Sequence, residues 1–147
     1  MKVMHSLGAI LAALIVLMSA PGAVAASFEV DYANDLGELF ITQQYCEAPV
    51  VDSGIGCFVP NDDDIYVKDN SREGASVGVH WITQNGREGL CIDSQGAPYW
   101  SKCPKIFTGT KIKWEVGTCD RSHHPCTRPG YADGWRDWGG WSEWITA

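Results

Sequence analysis

The 147-residue sequence lacks most of the short motifs that locate catalytic sites. It has no glycine-rich phosphate loop and no H-E-x-x-H metal motif, and no pattern among its acids, serines and histidines marks a hydrolytic site. The cysteine count is even, which favours disulfides over a free thiol nucleophile. We therefore predict no catalytic residue and no cofactor, and a non-enzyme is favoured over an enzyme.

Basic residues are also scarce. The chain has 11 lysines and arginines against 18 aspartates and glutamates, which gives a net charge of −7, and its basic residues are scattered. An acidic surface repels phosphate backbones and anionic lipids. We therefore predict no nucleic-acid partner.

No apolar run is long enough for a transmembrane helix. The longest, Leu7 to Met18, is shorter than the roughly 20 residues that span a bilayer. It follows the basic Lys2 and precedes the small residues Ala23-Val24-Ala25, a pattern typical of a cleaved secretory signal. We predict a signal peptide over residues 1–26 and one mature domain over residues 27–147, which is secreted, extracellular, monomeric and without a membrane span.

All six cysteines lie in the mature part, and an oxidising compartment favours three disulfides there. Six cysteines allow 15 connectivities, among which sequence alone does not choose rigorously. The spacing forms three local couples, and we predict the pairs Cys46–Cys57, Cys91–Cys103 and Cys119–Cys126.

Helical periodicity is missing from the mature chain, because glycines and prolines interrupt nearly every stretch. Short segments of alternating polarity instead predict strands. The predicted strands are Ser27–Tyr32, Glu38–Gln43, Ile65–Lys68, Ser76–Thr83, Glu88–Asp93 and Lys111–Val116, the last with Ile112, Trp114 and Val116 facing inward. Their spacing predicts an all-β fold, a single antiparallel β-sandwich domain stapled by disulfides.

The clearest element is a hairpin around Asn85-Gly86, the strongest short-range indication of a two-residue type I′ turn. Such a turn fixes the register of the two strands, and the apolar alternation agrees with it. The predicted opposite pairs are Trp81 with Leu90, Val79 with Ile92, and His80 with Cys91. The first two pairs would share the apolar face, and His80 would lie on the outer face.

Two clusters of possible metal ligands are interpreted as turns. The cluster Cys119, His123, His124 and Cys126 lacks zinc-finger spacing, and its cysteines are expected to oxidise. The loop Asn61 to Asp64, followed by Asp69 and Asn70, offers oxygen ligands for calcium but lacks the glycine and distal glutamate of an EF-hand. Because Asp and Asn stabilise turns, we predict no metal site, and calcium binding by Asp62–Asp64 stays open.

Four tryptophans recur at every third position of the tail GWRDWGGWSEW: Trp135, Trp138, Trp141 and Trp144. In an irregular or polyproline-like segment every third side chain points the same way, whereas in a regular strand residues three apart lie on opposite faces. We predict a closing strand that sends Trp141 and Trp144 to opposite faces. Core packing is the leading interpretation of the cluster, and for a ligand the candidate binding residues are Trp135, Trp138, Trp144 and Arg136.

The same tail is similar to the tryptophan run of thrombospondin type 1 repeats, in which Trp alternates with Arg in a stacked ladder. Here the cysteines precede the run and only Ile145-Thr146-Ala147 follows it, so a complete repeat is disfavoured.

A second similarity rests on GVHWITQNGREGLCIDSQG, TKIKWEVGTC and GWSEWITA, and it extends over roughly residues 77–147. These segments resemble small uncharacterised secreted β proteins of actinobacteria such as Streptomyces. The resemblance implies a bacterial origin and a compact β domain with no established activity.

We therefore predict a secreted, non-catalytic binding or interaction module. Its ligand is an extracellular carbohydrate or protein, and the Trp and Tyr content slightly favours carbohydrate. An inhibitor of extracellular proteases that presents the loop Ser94 to Lys102 is the alternative, and a small secreted hydrolase is the third hypothesis.

Overall fold

The computed structural model describes residues 27–37, 45–129 and 134–147. The predicted signal peptide and the predicted strand Glu38–Gln43 lie outside these residues. The described chain is built from the strands β1 (Glu29–Tyr32), β2 (Asn34–Asp35), β3 (Tyr45–Glu47), β4 (Gly54–Val59), β5 (Asp64–Asp69), β6 (Ser76–Thr83), β7 (Glu88–Ile92), β8 (Trp100–Cys103), β9 (Lys111–Cys119), β10 (Trp135–Arg136) and β11 (Ile145–Thr146). A search of this part of the chain finds no helix long and apolar enough to cross a membrane.

The strands form two sheets. One has the order β1-β7-β6-β9, with β10 and β11 both paired to β9, and the other has the order β2-β8-β5-β4-β3. Neighbouring strands are antiparallel in every described pair but β1–β7, which is parallel. The predicted all-β fold is confirmed, and the parallel pair is a feature that the sequence did not predict.

Charged side chains fix β1 at the sheet edge. Glu29 accepts hydrogen bonds from Arg87 Nε at 2.9 Å and Lys105 Nζ at 2.7 Å, and Lys105 also pairs with Asp31. Burial alone would raise the pKa of Glu29, but these hydrogen bonds and charges lower it below its ordinary value. The acidic face of β1 is therefore held against Arg87 and Lys105, and Val30 and Tyr32 on its apolar face are exposed.

The two sheets share one hydrophobic core. A Cβ on Gly56 of β4 would lie 2.4 Å from Val79 of β6 and 2.8 Å from Val116 of β9, so backbone and side chains of the two sheets are in close contact. The largest fully buried side chains include Trp81, Trp114, Phe58 and Phe107. Ile112, Trp114 and Val116 face this core, as the alternation of β9 predicted.

The predicted hairpin forms, but its register is shifted by one residue. Thr83 N donates to Arg87 O at 2.9 Å, so the loop has three residues, Gln84 to Gly86, with Gly86 at φ +89°. This is a turn closed by a left-handed glycine rather than a two-residue type I′ turn. The observed pairs are His80 with Leu90, Val79 with Cys91, and Trp81 with Gly89. The three predicted pairs are therefore wrong.

The shifted register explains one of the disulfides. All three predicted pairs are present: Cys46–Cys57, Cys91–Cys103 and Cys119–Cys126. Because Cys91 shares a face with Val79, its side chain points into the core, where it crosses from β7 to Cys103 on β8 of the other sheet. The predicted register would have turned Cys91 outward. Three disulfides also indicate that the fold belongs in an oxidising environment.

Candidate binding site

The tail follows β9 antiparallel, but not as a regular strand. Three contacts fix its offset, namely Gly139 N to Val116 O at 2.8 Å, Ser142 N to Trp114 O at 2.7 Å, and the pairing of Ile145 with Ile112. Over this stretch the tail advances three residues for every two residues of β9. In each group of three tail residues, one therefore has no counterpart on β9 and makes no hydrogen bond to that strand, as in a β-bulge.

This offset brings all four indoles onto one face. Side chains of β9 return to the same face every second residue, so a tail with the three-to-two offset returns every third residue to that face. Trp138 fills the space above Gly117, where a Cβ would lie 2.5 Å from its ring. Trp141 and Trp144 both lie against Lys113. The predicted placement of Trp141 and Trp144 on opposite faces is therefore wrong.

The indoles stack with two side chains of the sheet, His80 and Lys113. Ring centroids are 5.1 Å apart for Trp135–Trp138, 5.9 Å for Trp138–His80 and 5.0 Å for His80–Trp141, and Lys113 Nζ lies 4.8 Å from the Trp141 ring and 5.2 Å from the Trp144 ring. We call these six residues the tryptophan ladder. The lysine between two indoles makes cation–π contacts with both.

His80 lies on the outer face of the hairpin, as predicted, but the indoles of the tryptophan ladder bury it, and only 7% of its surface is exposed. Its Nδ1 is 2.9 Å from Glu115 Oε1, and its Nε2 is 2.9 Å from Glu88 Oε1. Glu88 also accepts a hydrogen bond from Arg128. Carboxylates occupy both ring nitrogens, so His80 holds the ladder in place rather than offering a free base.

Trp135 and Trp138 pack against the sheet. A Cβ on Gly78 would lie 2.1 Å from the Trp135 ring, and Trp135 Nε1 donates to Thr127 O at 2.7 Å. Two of the predicted binding residues are thus part of the packed cover of this sheet. The core-packing interpretation fits both of them.

The other end of the ladder is open to solvent. Trp141 and Trp144 are 39% and 36% exposed, and the predicted binding residue Arg136 is also exposed. Arg136 Nε lies 3.6 Å from Asp137 Oδ2. The structure therefore places Trp144 and Arg136 at the surface, together with Trp141, which the sequence-based set omits.

The segment that carries Trp141 and Trp144 also forms one wall of a groove of about 330 Å³. The opposite wall is β3, the edge strand of the other sheet. The groove, called the edge groove below, is lined by Tyr45, Cys46, Glu47, Trp114, Ser142, Glu143 and Ile145. Tyr45 is 52% exposed, and the disulfide Cys46–Cys57 fixes β3 to β4.

Two polar groups on residues that line the edge groove lack a hydrogen-bond partner among the described residues. Trp114 is buried, and its indole Nε1 has no hydrogen-bond partner among the described residues. Burial raises the pKa of the Glu47 carboxyl above its ordinary value of 4.5. A largely apolar groove with a few polar groups in need of partners is typical of a ligand site.

The sequence did not predict the edge groove, because its walls come from segments that lie far apart in the sequence. Tyr45 and Glu47 lie before β4, whereas Ser142 and Glu143 lie between the last tryptophans. Only the pairing of the tail with β9 brings these segments together. The one sequence feature that pointed there was the tryptophan run itself.

Each carboxylate of the Asp62–Asp64 loop accepts at least one hydrogen bond from the protein, although the buried Asp63 Oδ1 has no partner among the described residues. The donors are Tyr66 Oη for Asp62, Phe107 N and Thr108 Oγ1 for Asp63, and Lys102 Nζ for Asp64. Asp63 has φ +58°, in the left-handed region that Asp tolerates in turns. These contacts support the turn interpretation. Over the described residues, no group of three or more His, Cys, Asp or Glu side chains could hold a metal ion.

The residues around His123 form a solvated turn, as predicted. Asp120 accepts hydrogen bonds from Ser122 and lies 2.8 Å from His123 Nδ1, and these contacts lower the pKa of Asp120 to about 2. The His123 side chain is 74% exposed. The neighbouring cysteines, Cys119 and Cys126, are joined in a disulfide.

One serine pattern of hydrolases is present, contrary to the prediction from sequence that there is none. Gly74-Ala75-Ser76-Val77-Gly78 matches G-x-S-x-G. In hydrolases this motif places the serine on a sharp turn between a strand and a helix. Here Ser76 begins β6 and pairs with Cys119 of β9, so the structural context of a nucleophile is missing.

Comparisons with known proteins add no family to this description. The resemblance to actinobacterial secreted proteins therefore stays a prediction. No protein-family model, no curated protein and no solved structure matches the chain.

Proposed function

We propose that this protein is a secreted, non-catalytic binding module that recognises neutral carbohydrate at the edge groove. The observation that carries the proposal is the placement of an exposed aromatic ring, that of Tyr45, beside the carboxylates of Glu47 and Glu143 in one groove. Tyr45 and Glu47 form one wall, and the other wall continues into the segment that presents Trp141 and Trp144. The three disulfides and the predicted signal peptide support an extracellular location.

The groove offers both kinds of contact that a sugar ring requires. Its apolar C–H faces pack on aromatic rings such as Tyr45, and its hydroxyl groups donate to carboxylates and accept from N–H groups. Glu47 and Glu143 supply the carboxylates, whereas the indole Nε1 of Trp114 is fully enclosed and is not offered to a ligand. The two carboxylates of the groove thus gain hydrogen-bond donors from a polyhydroxylated ligand.

The charge of the groove favours neutral ligands. Glu47 and Glu143 are its two charged residues, and the whole chain has a net charge of −7. Uronic acids and sulfated sugars would be repelled by this field. Neutral glucans, xylans and chitin oligomers are therefore the appropriate test set.

Binding is tested by calorimetry and tryptophan fluorescence with neutral oligosaccharides, with an anionic oligosaccharide for comparison. We expect saturable binding of a neutral oligosaccharide and a loss of about tenfold in affinity for Tyr45→Ala, because one lost ring contact costs about 1.4 kcal/mol.

The matched control is Tyr99→Ala, which removes a tyrosine of similar exposure, 41% against 52%, that does not line the groove. Tyr99→Ala should keep the affinity of the natural protein. Failure of every neutral oligosaccharide to bind, or an equal loss in the two variants, would contradict the proposal.

Glycoside hydrolysis is the second candidate function. It is favoured by one observation, that Glu47 with its raised pKa and Glu143 share the edge groove, since glycosidases use a carboxyl acid beside a second carboxylate. Release of reducing ends from a bound oligosaccharide, abolished by Glu47→Gln, would support it. Binding of the oligosaccharide without release of reducing ends would contradict hydrolysis and leave the binding module as the proposed function.

A further inference from the structure

A second cavity, of about 330 Å³, is formed by the loop between β5 and β6 and the loop between β7 and β8. It is separate from the edge groove and shares no residue with it. Its lining is mostly polar and consists of Asp69, Ser71, Arg72, Gly74, Ala75, Ser76, Ser94, Gln95, Gly96 and Ala97. We call it the loop cavity.

Asp93 holds the two loops in place. Its Oδ1 accepts hydrogen bonds from Gln95 N at 2.9 Å, from Gly96 N at 3.3 Å and from Ser101 Oγ at 3.3 Å. Its Oδ2 accepts from Asp69 N at 3.1 Å, which joins the end of β7 to the end of β5. Both oxygens of this buried carboxylate therefore have partners, and Asp93 positions the wall of the cavity.

Asp69 is different, because one of its carboxylate oxygens has no partner. Only 3% of the residue is exposed. Its Oδ1 accepts from Ser71 N at 2.9 Å, and in the described part of the chain Oδ2 accepts no hydrogen bond and Asp69 forms no ion pair. This Oδ2 is not fully enclosed by protein atoms. Because Asp69 lines the cavity, the oxygen keeps access to it.

The charges around Asp69 are mainly of its own sign. Burial, together with the nearby carboxylates of Glu73 and Asp93, raises the pKa of Asp69 from 3.8 to about 6, against the lowering effect of the Ser71 N–H. Arg72 also lines the cavity, but it is exposed, so solvent screens its charge. A buried carboxylate in such surroundings lacks a positive partner.

We infer that the loop cavity binds a guanidinium or ammonium group, with Oδ2 of Asp69 as its main acceptor. A cation would supply the hydrogen bond and the charge that Asp69 lacks. The hydroxyl groups of Ser71, Ser76 and Ser94 can accept its remaining N–H bonds. An anion is disfavoured by the surrounding carboxylates.

Binding is tested by amide-shift NMR titration of the purified protein with methylguanidinium and n-butylammonium, with methylurea as the neutral control. We expect both cations, but not methylurea, to shift the amides of Ser71 and Gly96 in a saturable way at pH 7.5. Affinity should fall about tenfold at pH 5, because the ionised fraction of a carboxyl with a pKa of about 6 falls by that factor.

The decisive variant is Asp69→Asn, which keeps an acceptor for Ser71 N–H but removes the charge. Asp69→Asn should abolish the shifts, whereas Glu73→Gln, at an exposed neighbouring acid outside the lining, should stay within threefold of the natural affinity. Equal binding of methylurea, cation binding that survives Asp69→Asn, or no loss of affinity at pH 5 would each overturn the inference. The pH dependence is measured on the unaltered protein and so does not depend on the folding of a variant.

A third probe identifies the source of the cation. If the capped tripeptide acetyl-Ala-Arg-Ala-amide binds more tightly than methylguanidinium, the cation is a basic side chain of a partner protein. If it binds equally or more weakly, the cation is a free small molecule. Failure of carbohydrate to bind at the edge groove leaves this result unaffected, because the two sites share no residue.

Discussion

Two glycines on the outer face of the central strands make room for the tryptophan ladder. Gly78 of β6 lies under Trp135, and Gly117 of β9 lies under Trp138. The two glycines are opposite each other in the paired strands. Any side chain here would push an indole away from the sheet.

Gly78→Ala should therefore destabilise the protein by about 1–3 kcal/mol, because its Cβ would overlap the Trp135 ring and the packed neighbours cannot move freely. Urea unfolding followed by circular dichroism measures the change. Gly140→Ala is the matched control, since a Cβ there meets nothing within 4 Å, and it should change stability by less than about 0.5 kcal/mol. Similar losses in the two variants would show that glycine flexibility, not space for Trp135, is what matters.

Single residues also show where sequence reasoning ends. The inward positions of β9 and the three cysteine pairs followed from local spacing, and both are confirmed. The role of Gly78 and Gly117 could not be predicted from local spacing. A glycine in a strand indicates that another group approaches the backbone closely, but not which group it is. Asp69 was noted as a possible calcium ligand, and only the tertiary structure shows it lining a cavity.

At the scale of elements, the offset of the tail against β9 determines which amides are protected. Gly139 and Ser142 donate to β9 carbonyls. Gly140 and Glu143, the next residue after each, are exposed and donate no backbone hydrogen bond to any described residue. A regular strand would instead protect every second amide.

Hydrogen exchange followed by NMR tests this offset. We expect the amides of Gly139 and Ser142 to exchange at least about tenfold more slowly than those of Gly140 and Glu143, because only the first pair must open before exchange. Protection of Gly140 together with Ser142 would show the period of a regular strand, and the one-face arrangement of the ladder would then be wrong.

The hairpin shows why registers are harder to predict than strands. Both strands were predicted to within a residue, but Asn85-Gly86 closes a three-residue loop as well as a two-residue one. Apolar residues occur on both faces of β7, since Leu90 and Ile92 face outward and are still buried. Alternation alone therefore could not distinguish the two registers, whereas the cross-sheet partner of Cys91 does.

At the scale of the whole molecule, acidic residues are in excess, and some of them line its two candidate binding sites. The net charge of −7 was readable from composition, but composition does not show which carboxylates have partners. Glu29 is paired with Lys105 and Arg87, whereas the buried Asp69 and the half-buried Glu47 line cavities and form no ion pair with any described residue. Carboxyls with raised pKa values in cavities are typical of functional positions. The burial of Asp69 lowers stability at neutral pH, where its carboxyl, with a pKa of about 6, is mostly ionised.

Stability should accordingly rise as the pH falls from 7.5 to 5. The pKa of Asp69 is raised from 3.8 to about 6, so near pH 5 the folded protein holds a proton that the unfolded chain has lost, and protonation favours folding. The full penalty at neutral pH is about 3 kcal/mol, of which about 1 kcal/mol is recovered by pH 5. Glu29 and Asp120, whose pKa values are lowered, weaken the fold only at pH values below this window.

Urea unfolding at both pH values measures the change. Asp69→Asn should be the more stable protein at pH 7.5, and the difference should shrink by about 1 kcal/mol at pH 5; a difference independent of pH would place the Asp69 carboxyl in ordinary solvent.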